Sequence, residues 1–203
     1  EKYAGLDGTV VKVETNRGDI VIELYDAQMP RTVSNFRRLV KKKFYDGLLW
    51  HRVEDWVVQT GDPTVTPERW DLWQRKREAA LAAGRRPPPA IRLEDGGMWA
   101  PGGGGSGVTI KFETSPECTH DRGAVGMARS LDPDSASSQW YILKEAKHEL
   151  DDEVRTKLSG GRERGYACFG HVVEGMDVVA KLKPGDQVLR ARIIHEPRRK
   201  ASR

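Results

Sequence analysis

The chain has 203 residues, of which 37% are hydrophobic and 32% charged, with a formal net charge of +4 at pH 7. This length can bury one sizeable core, so a single domain over 1–203 is predicted. The sequence holds no apolar run of about 18 residues, so no membrane partner is expected. The two cysteines, Cys118 and Cys168, are too few for a disulfide-rich framework, and whether they pair with each other stays open.

The first elements along the chain are a hairpin and a helix. Segments 9–14 and 19–25 are rich in β-branched residues and flank a polar turn, which predicts two antiparallel strands. Segment 30–43 predicts a helix, because its apolar residues fall on one stripe and Pro30 suits the first turn. This order predicts that a sheet begins the fold and that a helix packs on it.

An arginine and a glutamine lie close together in two short strands predicted at 50–53 and 56–59. Because strands expose alternate residues on one face, Arg52 and Gln59 can stand side by side next to an apolar patch. A fixed cation and an amide beside an apolar pocket suit a neutral substrate whose carbonyl needs a strong donor. The stretch holds no nucleophile, so hydrolysis is not predicted.

Segment 64–101 differs in composition and is predicted to be an insertion. A helix starts at the capping residue Thr66 and ends before Gly84. The insertion leaves the sheet directly after the strand that carries Gln59, so it begins beside that residue. Two interpretations stay open, a surface excursion or a lid that restricts access to Arg52.

Strands dominate the rest of the chain. They are predicted at 108–112, 124–128, 139–143, 166–173 and 188–195, with a glycine loop at 102–107 and a short helix at 174–182. Together with the earlier segments this gives about eight strands and two core helices. Many short strands separated by turn signals predict a mainly β fold that closes as a barrel.

The excess positive charge concentrates near the C-terminus. The basic residues there are Arg190, Arg192, Arg198, Arg199, Lys200 and Arg203. The basic tail 196–203 is interpreted as a solvated chain end, so no nucleic-acid partner is expected. The chain begins with Glu1 rather than Met, so both a cytoplasmic and an exported location stay open.

Four blocks of sequence occur in the same order as in one known family. They are His51-Arg52-Val53 with Gln59-Thr60-Gly61-Asp62-Pro63, then 123–130, 134–142 and 166–172. In this order they resemble the cyclophilin-type peptidyl-prolyl cis-trans isomerases, whose first block reads His-Arg-Val followed by Gln-Gly-Gly-Asp-Pro. The resemblance covers most of 10–194 except 64–101 and 152–164. Four ordered blocks are far more specific than one short motif.

The resemblance implies a closed eight-stranded antiparallel barrel capped by two α-helices, with the site on the outer face of the barrel. It also implies that Arg52 is the catalytic arginine. The residues implied to line a proline pocket are Trp56, Val57, Tyr141 and Leu150. Those implied to hold the peptide backbone are Gln59, Ala128, Arg129 and Gln139, and Tyr166 stands where the family often has His or Tyr.

The implied function is isomerisation of X–Pro bonds in peptides and unfolded protein chains, by a monomer that needs no cofactor. Amide resonance sets a barrier of about 18–20 kcal/mol to this rotation. A catalyst need only favour the twisted amide over both planar forms. One alternative stays open, a binding module that holds proline-bearing partners with little or no turnover.

Several positions depart from the family pattern. Glu149 falls where many members carry a Trp that matters for cyclosporin binding, so weak or no cyclosporin binding is expected. Thr60 replaces a glycine and Trp56 replaces a smaller Phe, which leaves room for reduced activity. Taken alone, Arg52 could also be a surface strand arginine in a weak salt bridge with Glu54 or Asp55. The scattered histidines form no HxH or HExxH pattern, so no metal site is predicted.

Overall fold

The computed structural model describes residues 2–197. Its helices and strands are β1 (Val10–Thr15), β2 (Gly18–Leu24), α1 (Pro30–Lys41), β3 (Arg52–Val53), β4 (Val57–Thr60), α2 (Pro67–Ala82), β5 (Ile91–Arg92), β6 (Met98–Trp99), β7 (Ala124–Met127), β8 (Trp140–Leu143), α3 (Asp152–Leu158), β9 (Cys168–Glu174), α4 (Met176–Lys181) and β10 (Val188–His195). Short 3-10 helices lie at Pro133–Ser135 and His148–Leu150. The predicted tail from Arg198 onward lies outside the described residues. None of the helices in 2–197 is long and apolar enough to cross a membrane.

Eight strands form one antiparallel sheet in the order β10-β1-β2-β9-β7-β8-β4-β3. Its two edges approach each other where Leu49, before β3, makes an isolated bridge to Gln187, before β10. Next to this bridge the Trp50 amide donates to the Asp186 carbonyl at 2.7 Å. The predicted mainly β fold with eight antiparallel strands is confirmed, but the sheet is a curled half-barrel and the predicted closed barrel is not seen in the described part of the chain. Because β3 has only two residues, no strand ladder closes the sheet within residues 2–197.

The core is an aromatic cluster between the sheet and α1. Phe36 of α1 packs against Tyr45, Trp140 and Phe169, with ring centroids 5.2, 5.5 and 5.1 Å apart. Trp50 lies 5.3 Å from Trp140 in the same cluster, and all five rings are fully buried. Each such side chain contributes about 1.5–3 kcal/mol through burial. The cluster fixes β8 and the chain leading into β3, the two regions that carry the candidate site.

One predicted strand is wrong, and the hairpin of β5 and β6 and the helix α3 were not predicted. Segment 108–112 forms no strand, because its neighbour is the 3-10 helix Pro133–Ser135 rather than an extended chain. Only single hydrogen bonds hold it, among them the Ile110 amide to the Ala136 carbonyl at 2.9 Å. The hairpin of β5 and β6 has strands of two residues, too short for a periodic signal. α3 buries none of its residues and so shows no apolar stripe.

Segment 64–101 is attached to the sheet by a second apolar cluster. Thr66 caps α2 as predicted, since its hydroxyl accepts from the Arg69 amide at 3.3 Å. The cluster consists of Leu49, Val65, Trp70, Ile91 and Trp99. Gly185 permits this contact, because a Cβ there would lie 2.6 Å from Nε1 of Trp70. The helix is therefore packed on the sheet, although Leu81 near its end is 58% exposed.

Both ends of segment 64–101 meet at the fully buried Asp62. One carboxylate oxygen, Oδ1, accepts from the Thr64 amide at 2.8 Å. The other, Oδ2, accepts from the amides of Gly102 and Gly104 at 2.8 and 3.1 Å. A buried carboxylate needs several such donors to offset its lost hydration. The contacts fix the start of the predicted glycine loop beside β8.

Candidate active site

A cavity of about 260 Å³ opens on the sheet next to Arg52. Nine of the ten residues predicted for the site line it, namely Arg52, Trp56, Val57, Gln59, Ala128, Arg129, Tyr141, Leu150 and Tyr166. Ligand sites commonly measure about 300–1,000 Å³. This cavity lies just below that range, so it suits one small ring and its immediate neighbours.

Cross-strand register brings these residues together. Arg52 of β3 lies opposite Gln59 of β4, and Gln59 lies opposite Tyr141 of β8. Tyr141 in turn lies opposite Gly126 of β7. A Cβ on Gly126 would lie 2.3 Å from the Tyr141 hydroxyl, so only glycine lets the tyrosine ring cross that strand. The ring thereby forms the floor of the cavity.

Arg52 stands at the rim of the cavity with its side chain 41% exposed. Its Nε donates to Glu54 Oε1 at 2.7 Å and its Nη1 donates to Gln59 Oε1 at 3.3 Å. The guanidinium also lies 5.2 Å from the Trp56 ring. The bond from Arg52 lowers the pKa of Glu54. Arg52 therefore forms an ion pair at the surface and also lines the cavity, so both interpretations of this residue from the sequence apply.

Gln139, the tenth predicted residue, does not line this cavity but an adjacent one of about 280 Å³, which it shares with Gln59, Ala128 and Arg129. Its Nε2 donates to the carbonyls of Gly102 and Gly104 at 2.9 and 2.7 Å. Its Oε1 accepts from Gln59 Nε2 at 2.8 Å. The amide is thus engaged with the protein on both sides. It holds Gln59 and the glycine loop in place.

Arg129 lines the cavity but its donors are also engaged. Its Nε donates to the Gly165 carbonyl at 3.1 Å and its Nη1 to the Ser130 carbonyl at 2.8 Å. Its Nη2 donates to the carbonyls of Gly165 and Arg164. The guanidinium lies 4.5 Å from the ring of Tyr166. Arg129 therefore supports the wall formed by Tyr166, and its charge is covered by backbone oxygens.

A buried polar chain that the sequence analysis missed lies under the floor. His120 is fully buried, with Nδ1 2.7 Å from Asp151 Oδ1 and Nε2 2.8 Å from the Tyr141 hydroxyl. An Asp151 carboxylate accepts from Nδ1–H, which leaves Nε2 to accept from Tyr141. Burial lowers the pKa of His120, against the opposing effect of Asp151. Burial raises the pKa of Tyr141 well above its usual value.

The positions that depart from the family pattern have identifiable contacts. The Thr60 hydroxyl is buried and donates to the Leu49 carbonyl at 2.9 Å. The Glu149 side chain is 55% exposed and lies 4.0 Å from Lys147 Nζ. Lys147 Nζ in turn lies 5.6 Å from the Trp56 ring. The rim near Glu149 is therefore charged and hydrated rather than aromatic.

Neither cysteine takes part in the cavity. Cys118 and Cys168 are both buried and unpaired. Burial raises the pKa of both thiols, that of Cys118 to about 11. His51 is also buried, and burial lowers its pKa. Over residues 2–197 no group of three or more His, Cys, Asp or Glu side chains could hold a metal ion.

Comparisons with known proteins identify the family of the chain. The family model for "Cyclophilin type peptidyl-prolyl cis-trans isomerase/CLD" matches residues 10–198. A peptidyl-prolyl cis-trans isomerase of Acinetobacter baylyi is 33% identical over 178 residues, 87% of this chain and 73% of that protein. The isomerase cyp18 of Streptomyces antibioticus is 32% identical over 176 residues, 86% of this chain and 83% of that protein.

The fold matches solved structures of low sequence identity. A cyclophilin-type isomerase of Cryptosporidium parvum has a TM-score of 0.66 at 21% identity, covering 94% of this chain and 99% of that one. The structure of that isomerase in the presence of the dipeptide Ala-Pro has a TM-score of 0.64 at 22% identity. The match covers 92% of this chain and 99% of that one. At these identities the match concerns the fold alone.

Proposed function

The chain belongs to the cyclophilin-type peptidyl-prolyl cis-trans isomerase family, and we propose that it isomerises X–Pro bonds of peptides and unfolded chains in the cavity beside Arg52. One observation carries this proposal. Nine side chains from separate parts of the sequence line a single small cavity, with a guanidinium at its rim. The family name states the reaction, and the cavity offers a place for it on this chain.

The chemistry needs no covalent step. The barrier of about 18–20 kcal/mol comes from conjugation between the amide nitrogen and the carbonyl. When the bond twists, conjugation is lost and the proline nitrogen regains a lone pair. A guanidinium can donate to that lone pair, and an arginine is always charged and carries five N–H donors. Donation that exists only in the twisted state lowers the barrier rather than merely tightening binding.

The walls of the cavity suit a proline ring. Trp56, Val57, Tyr141 and Leu150 supply apolar surface. Arg52 is held at the rim by Glu54 and Gln59, so its orientation is set before substrate arrives. Nη2 of Arg52 makes no hydrogen bond to any group within residues 2–197. We assign to this nitrogen the donation to the twisted amide, because fixed donors cost little reorganisation at the moment of reaction.

A binding module with little turnover is the second candidate, and two contacts favour it. The Glu54 carboxylate holds Arg52 at 2.7 Å and competes with substrate for its charge. Gln139 donates both its amide hydrogens to the glycine loop. A backbone-holding role for Gln139 therefore requires that loop to move. We keep the enzyme as the first candidate because Nη2 of Arg52 remains available.

The architecture around the site is proposed as well. We infer that residues 10–197 act as one domain with 64–101 as an insertion, supported by the matched range and by the packing of α2. We also infer that the bridge between Leu49 and Gln187 serves as the seam of a barrel. We expect a monomer that binds proline-containing peptides and needs no cofactor.

The deciding experiment compares wild type with Arg52→Ala in a coupled assay on a proline tetrapeptide, with peptide binding measured in parallel. We expect kcat/KM to fall by at least about 100-fold in Arg52→Ala, as for the loss of one preorganised donor. The control is Arg122→Ala, which removes an exposed arginine outside the cavity. If the wild-type protein binds the peptide but shows no measurable isomerisation rate, the binding module replaces the isomerase as the first candidate.

A further inference from the structure

A second cavity, of about 580 Å³, adjoins the first. We call it the insert groove, and it lies between β3 on one side and α2 with the following loop on the other. Arg52 and Gln59 line both cavities. Trp73, Arg77 and Pro89 form the side contributed by segment 64–101. A chain bound in the proline cavity can therefore continue into the groove past Arg52.

The groove has a firm wall. Trp70 is buried in the second apolar cluster and packs against Trp73, with the ring centroids 5.4 Å apart and the ring planes tilted by 32°. The Trp99 indole donates to the Thr64 hydroxyl at 3.0 Å and ties the two ends of the segment together. Packed aromatic side chains of this kind form interface anchors in proteins, because they lose little conformational entropy on binding. The far wall of the groove is thus held in place before any ligand arrives.

Arg77 supplies an unused cation on that wall. Its guanidinium lies 4.4 Å from the Trp73 ring. Throughout residues 2–197 it makes no ion pair and no hydrogen bond, unlike Arg52, which is paired with Glu54. Arg77 is only partly exposed, whereas its neighbours Arg75 and Lys76 are exposed. A partly buried, stacked guanidinium with free donors is suited to bind a carboxylate in the bidentate manner.

The charges in the groove point to an acidic ligand. Its ionised side chains are Arg52, Glu54 and Arg77, and Glu54 is already neutralised by Arg52. This leaves one positive charge beside apolar tryptophan and proline surface. An acidic side chain in the substrate would complement it, and the same field would disfavour a basic side chain.

We propose that the insert groove is a specificity subsite that binds the chain next to the proline and selects an acidic side chain through Arg77. This proposal rests on the proposed function, since it places the proline in the cavity beside Arg52. The groove depends on α2 and its loop, so segment 64–101 gives this chain a preference that the cavity beside Arg52 alone does not provide.

The test uses longer peptides with one proline and either Glu or Gln at each flanking position in turn. At one position or more, we expect the Glu peptide to have a kcat/KM about 10-fold above that of its Gln partner at low salt. In Arg77→Gln this ratio falls to about one. Arg77→Glu should reverse the preference, so that a Lys peptide exceeds its Gln partner. Arg75→Gln, on the exposed face of the same helix, keeps the wild-type ratio.

The same peptides are also titrated by calorimetry, which separates this proposal from the proposed function. If no peptide is isomerised but Glu peptides bind more tightly in an Arg77-dependent manner, the isomerase fails and the groove stands. A ratio near one at every position in wild type would overturn the groove, whatever the rates. So would a Glu preference that survives in both Arg77 variants. Raising salt from about 0.05 M to about 0.5 M should shrink the ratio, because a partly exposed pair is screened.

Discussion

The side-chain amide of Gln59 donates to that of Gln139 at 2.8 Å and so joins the candidate active site to the glycine loop. On one side of this bond, Gln59 accepts from Arg52 Nη1 at 3.3 Å. On the other side, Gln139 donates to the carbonyls of Gly102 and Gly104. A continuous chain of hydrogen bonds therefore runs from the guanidinium to the end of segment 64–101.

Breaking this chain should disturb Arg52 without touching it. In Gln139→Ala, Gln59 loses an acceptor and the two glycine carbonyls lose their donor. We expect kcat/KM to fall by about 10-fold, equivalent to about 1.4 kcal/mol. Hydrogen exchange over residues 102–107 should rise in parallel. Gln28→Ala, which removes an exposed glutamine, is the matched control. Unchanged exchange and unchanged rate in Gln139→Ala would show that the chain has no role in positioning.

Removing the Tyr141 hydroxyl should destabilise the protein. In Tyr141→Phe, His120 Nε2 stays buried without a partner, and such an orphaned group costs about 1–3 kcal/mol. Urea unfolding at neutral pH measures this loss of stability, which lowers the urea concentration at the midpoint and leaves the dependence of the free energy of unfolding on urea unchanged. Tyr166→Phe removes a hydroxyl from another wall of the same cavity and should cost less. Equal midpoints for the two variants would contradict the importance of the buried chain.

Stability should fall as the pH drops below neutral. Burial lowers the pKa of His51 and of His120 in the folded state, whereas an unfolded histidine titrates near about 6.5. Below about 6.5 the unfolded chain binds more protons than the folded one, so the free energy of unfolding decreases as pH falls. Each histidine can contribute a slope of up to about 1.4 kcal/mol per pH unit.

Urea midpoints at about pH 7.5 and about pH 5.5 check this window, which lies above the range where unfolded carboxylates titrate, near about 4. His120→Gln should flatten the dependence, and the double variant with His51→Gln should flatten it further. The control is His195→Gln at the end of β10. A flat wild-type profile from pH 7.5 to 5.5 would refute the predicted sign.

Cyclosporin should bind weakly. The rim beside Leu150 carries Glu149 and Lys147 in place of an aromatic side chain, and a hydrated charge is costly to cover with an apolar ligand. We expect a Kd above about 1 µM, or less than about 8 kcal/mol of binding free energy. Glu149→Trp should tighten cyclosporin binding by at least about 10-fold. Glu145→Trp, four residues earlier in the same loop, should not. A sub-micromolar Kd for wild type would show that the rim is irrelevant.

Nine of the ten residues predicted from local pattern and family resemblance lie around one cavity, but the hydrogen bonds that support them were not predicted. The pairing of Arg52 with Gln59 follows from strand alternation, because both residues lie in adjacent short strands. Their contact with Tyr141 depends on β8, a strand far along the chain. That Tyr141 belongs to the same site was predicted only from the four sequence blocks shared with the family. That Gln139 and Arg129 hold the peptide backbone of a substrate stays a prediction. Within the protein both donate to backbone carbonyls of loops, and these contacts were not predicted because loop conformation has no periodic signal.

The buried chain of His120, Asp151 and Tyr141 could not be read from the sequence for the same reason. The two hydrogen bonds of the His120 ring link it to residues 31 and 21 positions away. No spacing rule connects a histidine in a loop to an aspartate after a 3-10 helix. Segment 108–112 shows the converse case, in which apolar character predicted a strand that lacks an extended neighbour. Pairing is a property of two segments, and one segment alone cannot reveal it.

Both ends of segment 64–101 are bound to Asp62, so the segment is not needed for the strand pairing of the sheet. Because the chain departs and returns at one carboxylate, its length and content can vary while β4 and β8 keep their partners. Segment 64–101 can then be exchanged as a cassette, with Asp62, Gly102 and Gly104 as its fixed junction. Relatives that differ only in this cassette would share one reaction centre and differ in the peptides they accept.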